Sequence, residues 1–264
     1  MNGSVAPLVT MTLNGRVARL VIGPGVRRNA LTSAGWAAID TAVRGLAADR
    51  ELRAVVIEGA AEWFSAGSDI REWIEATPEE VEVSFARMEA ACTAIEDLPV
   101  PVIAKVRGPA AGAGCQLALA CDLRILADDA SMGMPIALLG ILVSPSFANR
   151  LTARAGAATA RELLYTGRMV SAEEAVRLGL ANACVPGDEL DHRVDRVITS
   201  ILRSSGAAVR AAKQAVNVVE APARTTARNA PAGPRIMPRD FMRGVNAFVQ
   251  RRRARAVKAA RRVG

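Results

Sequence analysis

The segment of residues 107–127, with the sequence RGPAAGAGCQLALACDLRILA, constrains the fold of this chain more than any other. A β-type run, PVIAKVR, leads into it, and an apolar run typical of a helix follows its glycines. A glycine-rich turn between a strand and a helix leaves unpaired backbone N–H groups at the positive end of the helix dipole. Such a terminus binds anions or developing negative charge, although the same turn is also an ordinary device for close packing.

A second turn of the same kind lies upstream. Residues 64–70, FSAGSDI, follow the apolar strand predicted at residues 54–58 and open into a second helical segment. Two such turns, each after a strand, can direct two backbone N–H groups at one oxygen atom. The two turns together therefore predict a site for developing negative charge.

Hydrophobic periodicity predicts an α/β chain. Alternation around Asn14-Gly15 indicates a β-hairpin, and strands separated by helices indicate a mostly parallel sheet. We expect Thr32 to cap a helix that ends near Ala48, and Asp240 to cap the last helix. The other predicted elements are strands at 9–13, 17–22, 101–107 and 123–127, helices at 79–97, 157–165, 172–178, 189–202 and 207–219, and a loop or mobile cover at 221–238.

With Arg28-Asn29-Ala30-Leu31, the two turns resemble the crotonase (enoyl-CoA hydratase/isomerase) superfamily. The resemblance runs from about residue 8 to 250 and includes the segments at 166–167, 171–175, 179–180 and 244–248. It implies an α/β fold in which a spiral of ββα units forms a core at residues 1–200. It also implies a helical C-terminal region at 201–264 that covers the core or mediates assembly as a homotrimer or dimer of trimers.

The resemblance implies that the thioester carbonyl of an acyl-CoA lies between the backbone amides of Ser68 and Ala113. A methyl group at Ala113 is tolerated if its φ is negative and strained if its φ is positive. It places the substrate and CoA path along these donors and their neighbours: Arg28, Ala30, Ala66, Ser68, Asp69, Ile70, Arg71, Gly112 and Ala113. Asp69 has an alternative role as a helix cap, and Arg28 as a surface ion pair.

The sequence departs from the family at both hydratase glutamates. Gln116 stands at the first position and Ile136 at the second. Glutamine can orient a water but cannot accept its proton at neutral pH, and isoleucine can do neither. Ordinary hydration is therefore doubtful. Substitute groups would be Glu72, Glu75, Ser144, Ser146 or Asn149, although each is better explained as a surface or capping residue, as is the single histidine, His192.

Composition limits the partners. No apolar run is long enough to cross a bilayer, no signal peptide is evident, and the four cysteines lack metal-type spacing, so we expect a cytoplasmic protein without a metal. No bound cofactor is expected, because coenzyme A would arrive as part of the substrate. The net charge is +8, and much of it lies in the arginine-rich run at 251–262. This run has three interpretations: a solvated helix face, a contact for CoA phosphates or, least favoured, a nucleic-acid-binding surface.

Three functions follow from these features. The first is an acyl-CoA enzyme of the hydratase/isomerase type that stabilises a thioester enolate, which would make it a lyase or isomerase of fatty acid metabolism. The second is a non-catalytic acyl-CoA-binding protein, and the third is an RNA-binding relative. Decarboxylation needs no base to form an enolate, so a carboxylated acyl-CoA also fits the first reading. The three functions leave the identity of the acyl group open.

Overall fold

The computed structural model describes residues 7–231 and 233–260, and side chains up to residue 250 except at 249. The helices are α1 (Ser33–Ala47), α2 (Pro78–Asp97), α3 (Ala113–Ala120), α4 (Pro145–Thr166), α5 (Ala172–Arg177), α6 (Leu190–Arg203), α7 (Gly206–Asn229) and α8 (Pro238–Ala260). Short 3₁₀ turns lie at Ile70–Trp73, Ala137–Leu139 and Gly187–Glu189.

The strands form two sheets. The main sheet has six strands, and the strands in spatial order are β1 (Val9–Asn14), β2 (Val17–Ile22), β3 (Ala54–Gly59), β4 (Val102–Val106), β6 (Leu123–Ala127) and β9 (Ala183–Val185). Only the hairpin pair β1–β2 is antiparallel, which confirms the predicted hairpin and the mostly parallel sheet. A second sheet, which the sequence did not predict, joins β5 (Pro109–Ala111), β7 (Ser131–Gly133) and β8 (Met169–Ser171).

The core lies mainly on one face of the main sheet. Helices α1, α2 and α3 contribute their apolar faces to it, with Trp36 of α1 and Phe64 fully buried. A smaller cluster lies where α6 packs on β2, β3, β4 and β6 through Val194 and Ile198. Burying this apolar surface supplies most of the stabilisation, at roughly 25 cal/mol per Å².

The predicted helix caps are partly confirmed. Thr32 accepts a hydrogen bond from the amide of Gly35, which confirms it as the cap of α1. The last helix begins at Pro238, so the prediction of Asp240 as its cap is wrong and Asp240 lies inside the first turn. Proline suits a first helical position because its missing N–H would have no partner there.

Two regions differ from the predicted elements. Residues 221–229 continue α7, with Pro222 inside the helix, so the predicted loop or mobile cover at 221–238 is wrong for this part. The predicted helix at 157–165 is only the second part of α4, because Gly156 has φ 76° and ψ 164° and interrupts a helix that already began at Pro145. The segment 144–147 is therefore a helix start, which Ser144 caps.

Candidate active site

The first turn is held in place by side chains as well as by backbone. Ser65 is fully buried, and its hydroxyl donates to the carbonyl of Asn29 (2.8 Å) while accepting from the amide of Gly67 (3.1 Å). Gly67 has φ 90°, a conformation that favours glycine. The amide of Asp69 donates to the carbonyl of Leu31 (2.8 Å). The amide of Ser68, between these two, has no acceptor among the described residues.

In the second turn, a glycine is the residue with a positive φ. Gly112 has φ 55° and ψ −116°, and α3 begins directly after it at Ala113. Among the described residues, Ala113 is not one of the non-glycine residues with positive φ, so its methyl group causes no strain. Its amide is in the first turn of α3 and has no acceptor within the described part of the chain.

The two turns touch each other. The amide of Ala111 donates to the carbonyl of Ser65 (3.1 Å), which ties the second turn to the first. A methyl group added to Gly67 would lie 2.5 Å from the carbonyl oxygen of Ala111 and 3.0 Å from the nitrogen of Ala113. The amide nitrogen of Ala113 therefore lies against the residue that precedes Ser68, and the two free amides are neighbours.

Asn29 is a structural residue of the site that the sequence reasoning did not single out. It is fully buried with φ 52°, and its amide nitrogen donates to the carbonyls of Ala60 (2.8 Å) and Trp63 (2.5 Å). Its side-chain oxygen accepts from the amide of Gly25 (2.9 Å). A buried side chain with this many bonds fixes the loop that precedes the first turn. The sequence signal was its place beside Arg28.

The predicted CoA-path residues surround the first turn. Arg28 is exposed, has φ 56°, and stacks its guanidinium over the ring of Trp63 at 4.9 Å. Among the described residues it has no carboxylate partner, so the surface ion pair considered above is absent there. Ala30 and Ala66 are half-buried, and the amide of Ala66 donates to the carbonyl of Arg28 (2.8 Å).

Asp69 serves as a cap and as an ion-pair centre. Its carboxylate accepts from the backbone amide of Arg71 (3.2 Å) at the start of the 3₁₀ turn. It also pairs with the guanidinium groups of Arg71 (3.1 Å) and Arg27 (3.2 Å). Ile70 is half-buried against the core. The capping role weighed for Asp69 is thus observed, and two arginines extend toward the surface beside it.

Gln116, which the family resemblance places at the first glutamate position, is bonded on both sides of its amide. It is fully buried, its nitrogen donates to the carbonyl of Phe147 (3.3 Å), and its oxygen accepts from Arg150 (3.4 Å). Arg150 is itself held by Glu89 (2.5 Å) and Glu96 (2.7 Å). Burial alone would raise the pKa of the Glu96 carboxyl, but the charge of Arg150 and its hydrogen bond lower that pKa below its ordinary value.

Ile136, which the family resemblance places at the second glutamate position, lies beside the second turn. It is 5% exposed, and its Cγ2 atom would lie 3.9 Å from a methyl group on Gly112. Cys115, in the first turn of α3, offers no substitute base, because burial raises the pKa of its thiol to about 12. Gln116, Ile136 and Cys115 therefore supply no proton acceptor at neutral pH.

The other candidate bases have structural roles or lie at the surface. Glu72 accepts from the amide of Ser33 (2.7 Å) and so caps α1, and Ser144 caps α4. Glu75 and His192 are exposed, and Ser146 and Asn149 are half-buried on α4. His192 thus has the surface position expected for it.

These observations define the class of protein. It is an α/β protein with a spiral of ββα units, in which the turns after β3 and β4 lie side by side and each has a backbone amide without an acceptor among the described residues. The chain belongs to the enoyl-CoA hydratase/isomerase family, the crotonase superfamily, because the family model for enoyl-CoA hydratase/isomerase matches residues 15–255.

Relatives and solved structures agree with this assignment. The chain is 38% identical over 189 residues to echA8 of Mycobacterium bovis, named a probable enoyl-CoA hydratase, covering 72% of this chain and 73% of that protein. It is 34% identical over 210 residues to a short-chain-enoyl-CoA hydratase of Clostridium acetobutylicum, covering 79% and 80%.

The matches to solved structures cover a larger share of this chain than the matches to these relatives do. An enoyl-CoA hydratase from Mycobacterium avium subsp. paratuberculosis superposes with a TM-score of 0.81 at 30% identity, covering 93% of this chain and 97% of that one. A Thermobifida fusca protein of the enoyl-CoA hydratase type, solved in complex with CoA, superposes with a TM-score of 0.74 at 32% identity, covering 84% and 92%. In the part of this chain that the structure describes, no helix is long and apolar enough to cross a membrane.

Proposed function

We propose that this chain binds an acyl-CoA and holds its thioester oxygen between the backbone amides of Ser68 and Ala113. The observation that carries the proposal is that these two neighbouring amides have no acceptor among the described residues, while the amides of Gly67 and Asp69 do. Two aimed donors stabilise an enolate-like oxygen, and loss of one such donor typically costs about 10²–10³ in rate.

The CoA portion would run along the first turn. The guanidinium of Arg28 is exposed and free of carboxylates among the described residues, so it can pair with a phosphate. Arg27 and Arg71, held by Asp69, add positive charge beside it. Ala30 and Ala66 leave room for a ligand next to the backbone. No metal or resident cofactor enters the proposal, because CoA is part of the substrate.

The expected chemistry stops short of ordinary hydration. A hydratase needs groups that accept and return a proton of water, and each positioned group contributes about 10²–10⁴-fold. Gln116 is bonded to Arg150 and Phe147, and Ile136 is apolar. Enolate chemistry that needs no enzyme base, such as decarboxylation of a carboxylated acyl-CoA, fits this site better than addition of water does.

The same two side chains favour one alternative, a non-catalytic acyl-CoA-binding protein. Turnover of a panel of enoyl-, carboxyacyl- and haloacyl-CoAs separates the two readings. Binding with turnover of one member supports the enzyme, and binding without turnover of any supports the carrier. Salt-sensitive retention of RNA without acyl-CoA affinity would contradict both and favour an RNA-binding relative.

The donor claim is tested by removing one N–H group. Ala113 is the first residue of α3, a position where proline fits a helix, and α2 and α4 of this chain already begin with proline. Ala113→Pro should weaken acyl-CoA binding by about ten-fold, as expected for one hydrogen bond of about 1.4 kcal/mol. Ala113→Gly, which keeps the amide, is the matched control. Equal affinity of the two variants would contradict the proposal.

A further inference from the structure

The side chain of Ser68 is held by a buried tryptophan of α1. The indole nitrogen of Trp36 lies 3.0 Å from Ser68 Oγ, and Trp36 is fully buried. Indole can only donate a hydrogen bond, so Ser68 Oγ is the acceptor in this contact. The hydroxyl hydrogen of Ser68 therefore points elsewhere, and no residue in the described part of the chain accepts it.

The backbone of Ser68 is oriented by a β-bridge to Leu31. In this parallel bridge Leu31 donates to the carbonyl of Gly67 (2.8 Å) and accepts from the amide of Asp69 (2.8 Å). Both bonds are thus made by the neighbours of Ser68, and its own N–H and C=O groups point away from Leu31. Ser68 therefore has two donors without an acceptor among the described residues, its amide and its hydroxyl.

The two donors of Ser68 lie close together because one residue carries both. In any staggered rotamer a serine Oγ lies roughly 3–4 Å from the backbone nitrogen of the same residue. Ser68 is half-buried, so it is accessible from outside the core. When an oxygen of a ligand binds to the amide, a second oxygen of that ligand, a few bonds away, is within reach of the hydroxyl.

The charges next to Ser68 suit a second oxygen on the ligand. The carboxylate of Asp69 pairs with Arg71 (3.1 Å) and with Arg27 (3.2 Å), so two guanidinium groups face one carboxylate. The positive charge that remains attracts an oxygen with a partial or full negative charge. Both a carbonyl and a carboxylate oxygen meet this condition.

We propose that the Ser68 hydroxyl determines specificity by donating to a second acyl oxygen in a 1,3 relation to the thioester oxygen, as in a 3-oxoacyl-CoA or a 2-carboxyacyl-CoA. The inference rests on the proposed function, because it requires the thioester oxygen at the Ser68 amide. When the two oxygens of such a group lie on the same side they are about 3 Å apart, which matches the spacing of the two donors. A hydroxyl that accepts one hydrogen bond donates a stronger one, so Trp36 is a positioning residue.

The inference is tested with three acyl-CoA ligands of similar size. Butanoyl-CoA has no second oxygen, acetoacetyl-CoA has a neutral oxo group at C3, and malonyl-CoA has a carboxylate at C2. Their dissociation constants are measured by competition with a fluorescent CoA, in stopped-flow mixing before any turnover. The readout is the dissociation constant of butanoyl-CoA divided by that of each other ligand, because this ratio cancels any effect of a variant on binding of the thioester itself.

Two variants assign the ratio to these atoms. Ser68→Ala removes the hydroxyl and keeps the backbone amide, and it should lower at least one of the two ratios about five- to ten-fold. Trp36→Phe removes only the orienting N–H group and should lower the same ratio about two- to three-fold, because the hydroxyl is then free to rotate. Ser200→Ala, which removes an exposed hydroxyl on α6, is the control and should keep both ratios.

The outcomes separate this inference from the proposed function. Unchanged ratios in Ser68→Ala would overturn the inference and leave acyl-CoA binding intact, since a purely structural bond between Trp36 and Ser68 would not move them. Absence of binding by all three ligands would instead overturn the proposed function. A fall confined to malonyl-CoA would assign the hydroxyl to a carboxylate, and a fall confined to acetoacetyl-CoA would assign it to an oxo group. A ratio that falls in Ser68→Ala but not in Trp36→Phe would contradict the positioning role of Trp36.

Discussion

Gln116 is the residue that most limits the chemistry of this site. Its amide oxygen contacts Arg150, which already pairs with Glu89 and Glu96. A carboxylate at this position would meet the cation of Arg150 but also two carboxylates nearby. A single Gln116→Glu change would therefore place a glutamate whose charge is engaged by Arg150, while Ile136 stays apolar.

The first prediction concerns the effect of Gln116 and Ile136 on the hydration of crotonyl-CoA. Crotonyl-CoA hydration by the wild type should be at least about a hundred-fold below that of a two-glutamate enzyme. The double variant Gln116→Glu/Ile136→Glu should raise hydration more than either single variant, because one water needs both partners. It should also lower stability, since a carboxylate replaces a buried isoleucine.

The assay is the loss of absorbance of crotonyl-CoA for the wild type, both single variants and the double variant. Incomplete recovery is expected, because an error of one ångström in the second carboxylate is costly. Wild-type turnover in the range of about tens per second, within the ordinary range of enzymes, would mean that another residue supplies the proton.

The second prediction concerns Asn29, the buried amide beneath the first turn. Asn29→Ala should lower the free energy of unfolding by about 2–4 kcal/mol, because several buried carbonyls and one amide lose their partner together. Alanine also adopts its positive φ less readily than asparagine. Urea denaturation measures the effect, with the exposed Asn246→Ala as control. Equal midpoints for both variants would show that Asn29 does not hold the loop.

Helix α8 docks on the rest of the chain through close backbone contacts. It packs on the 3₁₀ turn Ala137–Leu139 through Gly244, while Gly140, with φ 65°, comes close to the backbone at Asp240 and Phe241. Phe241 and Val245 are buried, and Phe248 is half-buried. Phe241 and Val245 thus join the main hydrophobic core. The side chains of the arginine-rich run at 251–262 lie outside the described residues.

The third prediction follows from this backbone contact. Gly244→Ala should lower the melting temperature by several degrees, because the added methyl group would lie 2.6 Å from Leu139 Cα. Gly45→Ala in α1 meets no atom within 4 Å and should be neutral or slightly stabilising. Truncation at Gly244 should lower the melting temperature further. Equal melting temperatures for Gly244→Ala and Gly45→Ala would mean that α8 does not dock as described.

Elements with strong local signals could be predicted from the sequence. The hairpin at Asn14-Gly15, the strand β3 and the cap at Thr32 each depend on neighbouring residues and are confirmed. The helix α7 beyond Pro222 was missed because proline opposes a helix interior locally, whereas the alanines and arginines around it favour one. The helix starts at Pro145 and Pro238 were missed because helix boundaries carry weaker signals than helix interiors.

The site was predicted only in part, because its local motifs are visible in the sequence and its long-range contacts are not. The two turns are local motifs, and the sequence indicated them correctly as neighbours of helix starts. The bonds of Gln116 to Arg150 and of Asn29 to Trp63 join residues far apart in the chain. No periodicity or spacing reveals such contacts, and neither does it reveal that Gly112, not Ala113, has the positive φ.

At the scale of the whole molecule, the rest of the chain covers helix α7 only in part. This helix has no buried residue in the single chain, and Val216, Val218 and Val219 are exposed. Exposed apolar residues on a long helix are typical of a surface that is covered by another subunit. The family resemblance implies a trimer, and the division into a core at 1–200 and a helical region at 201–264 stays a prediction.

The fourth prediction is that the protein forms a trimer or a dimer of trimers. Light scattering at micromolar concentration should give three or six times the mass of the 27.7 kDa chain. Val219→Asp, on the exposed face of α7, should shift the mass downward because a charge at a packed interface is costly. Leu13→Asp, at the exposed edge strand β1, is the matched control. A stable monomer at this concentration would contradict the assembly.

The measurement that tests the account most directly is a structure of this protein with a bound acyl-CoA. The account predicts that the thioester oxygen lies about 2.7–3.1 Å from both the Ser68 and the Ala113 amide nitrogens. It also predicts that the CoA phosphates lie on the side of Arg28. A thioester oxygen beyond hydrogen-bond range of both amides, in a site occupied at full stoichiometry, would contradict the central claim.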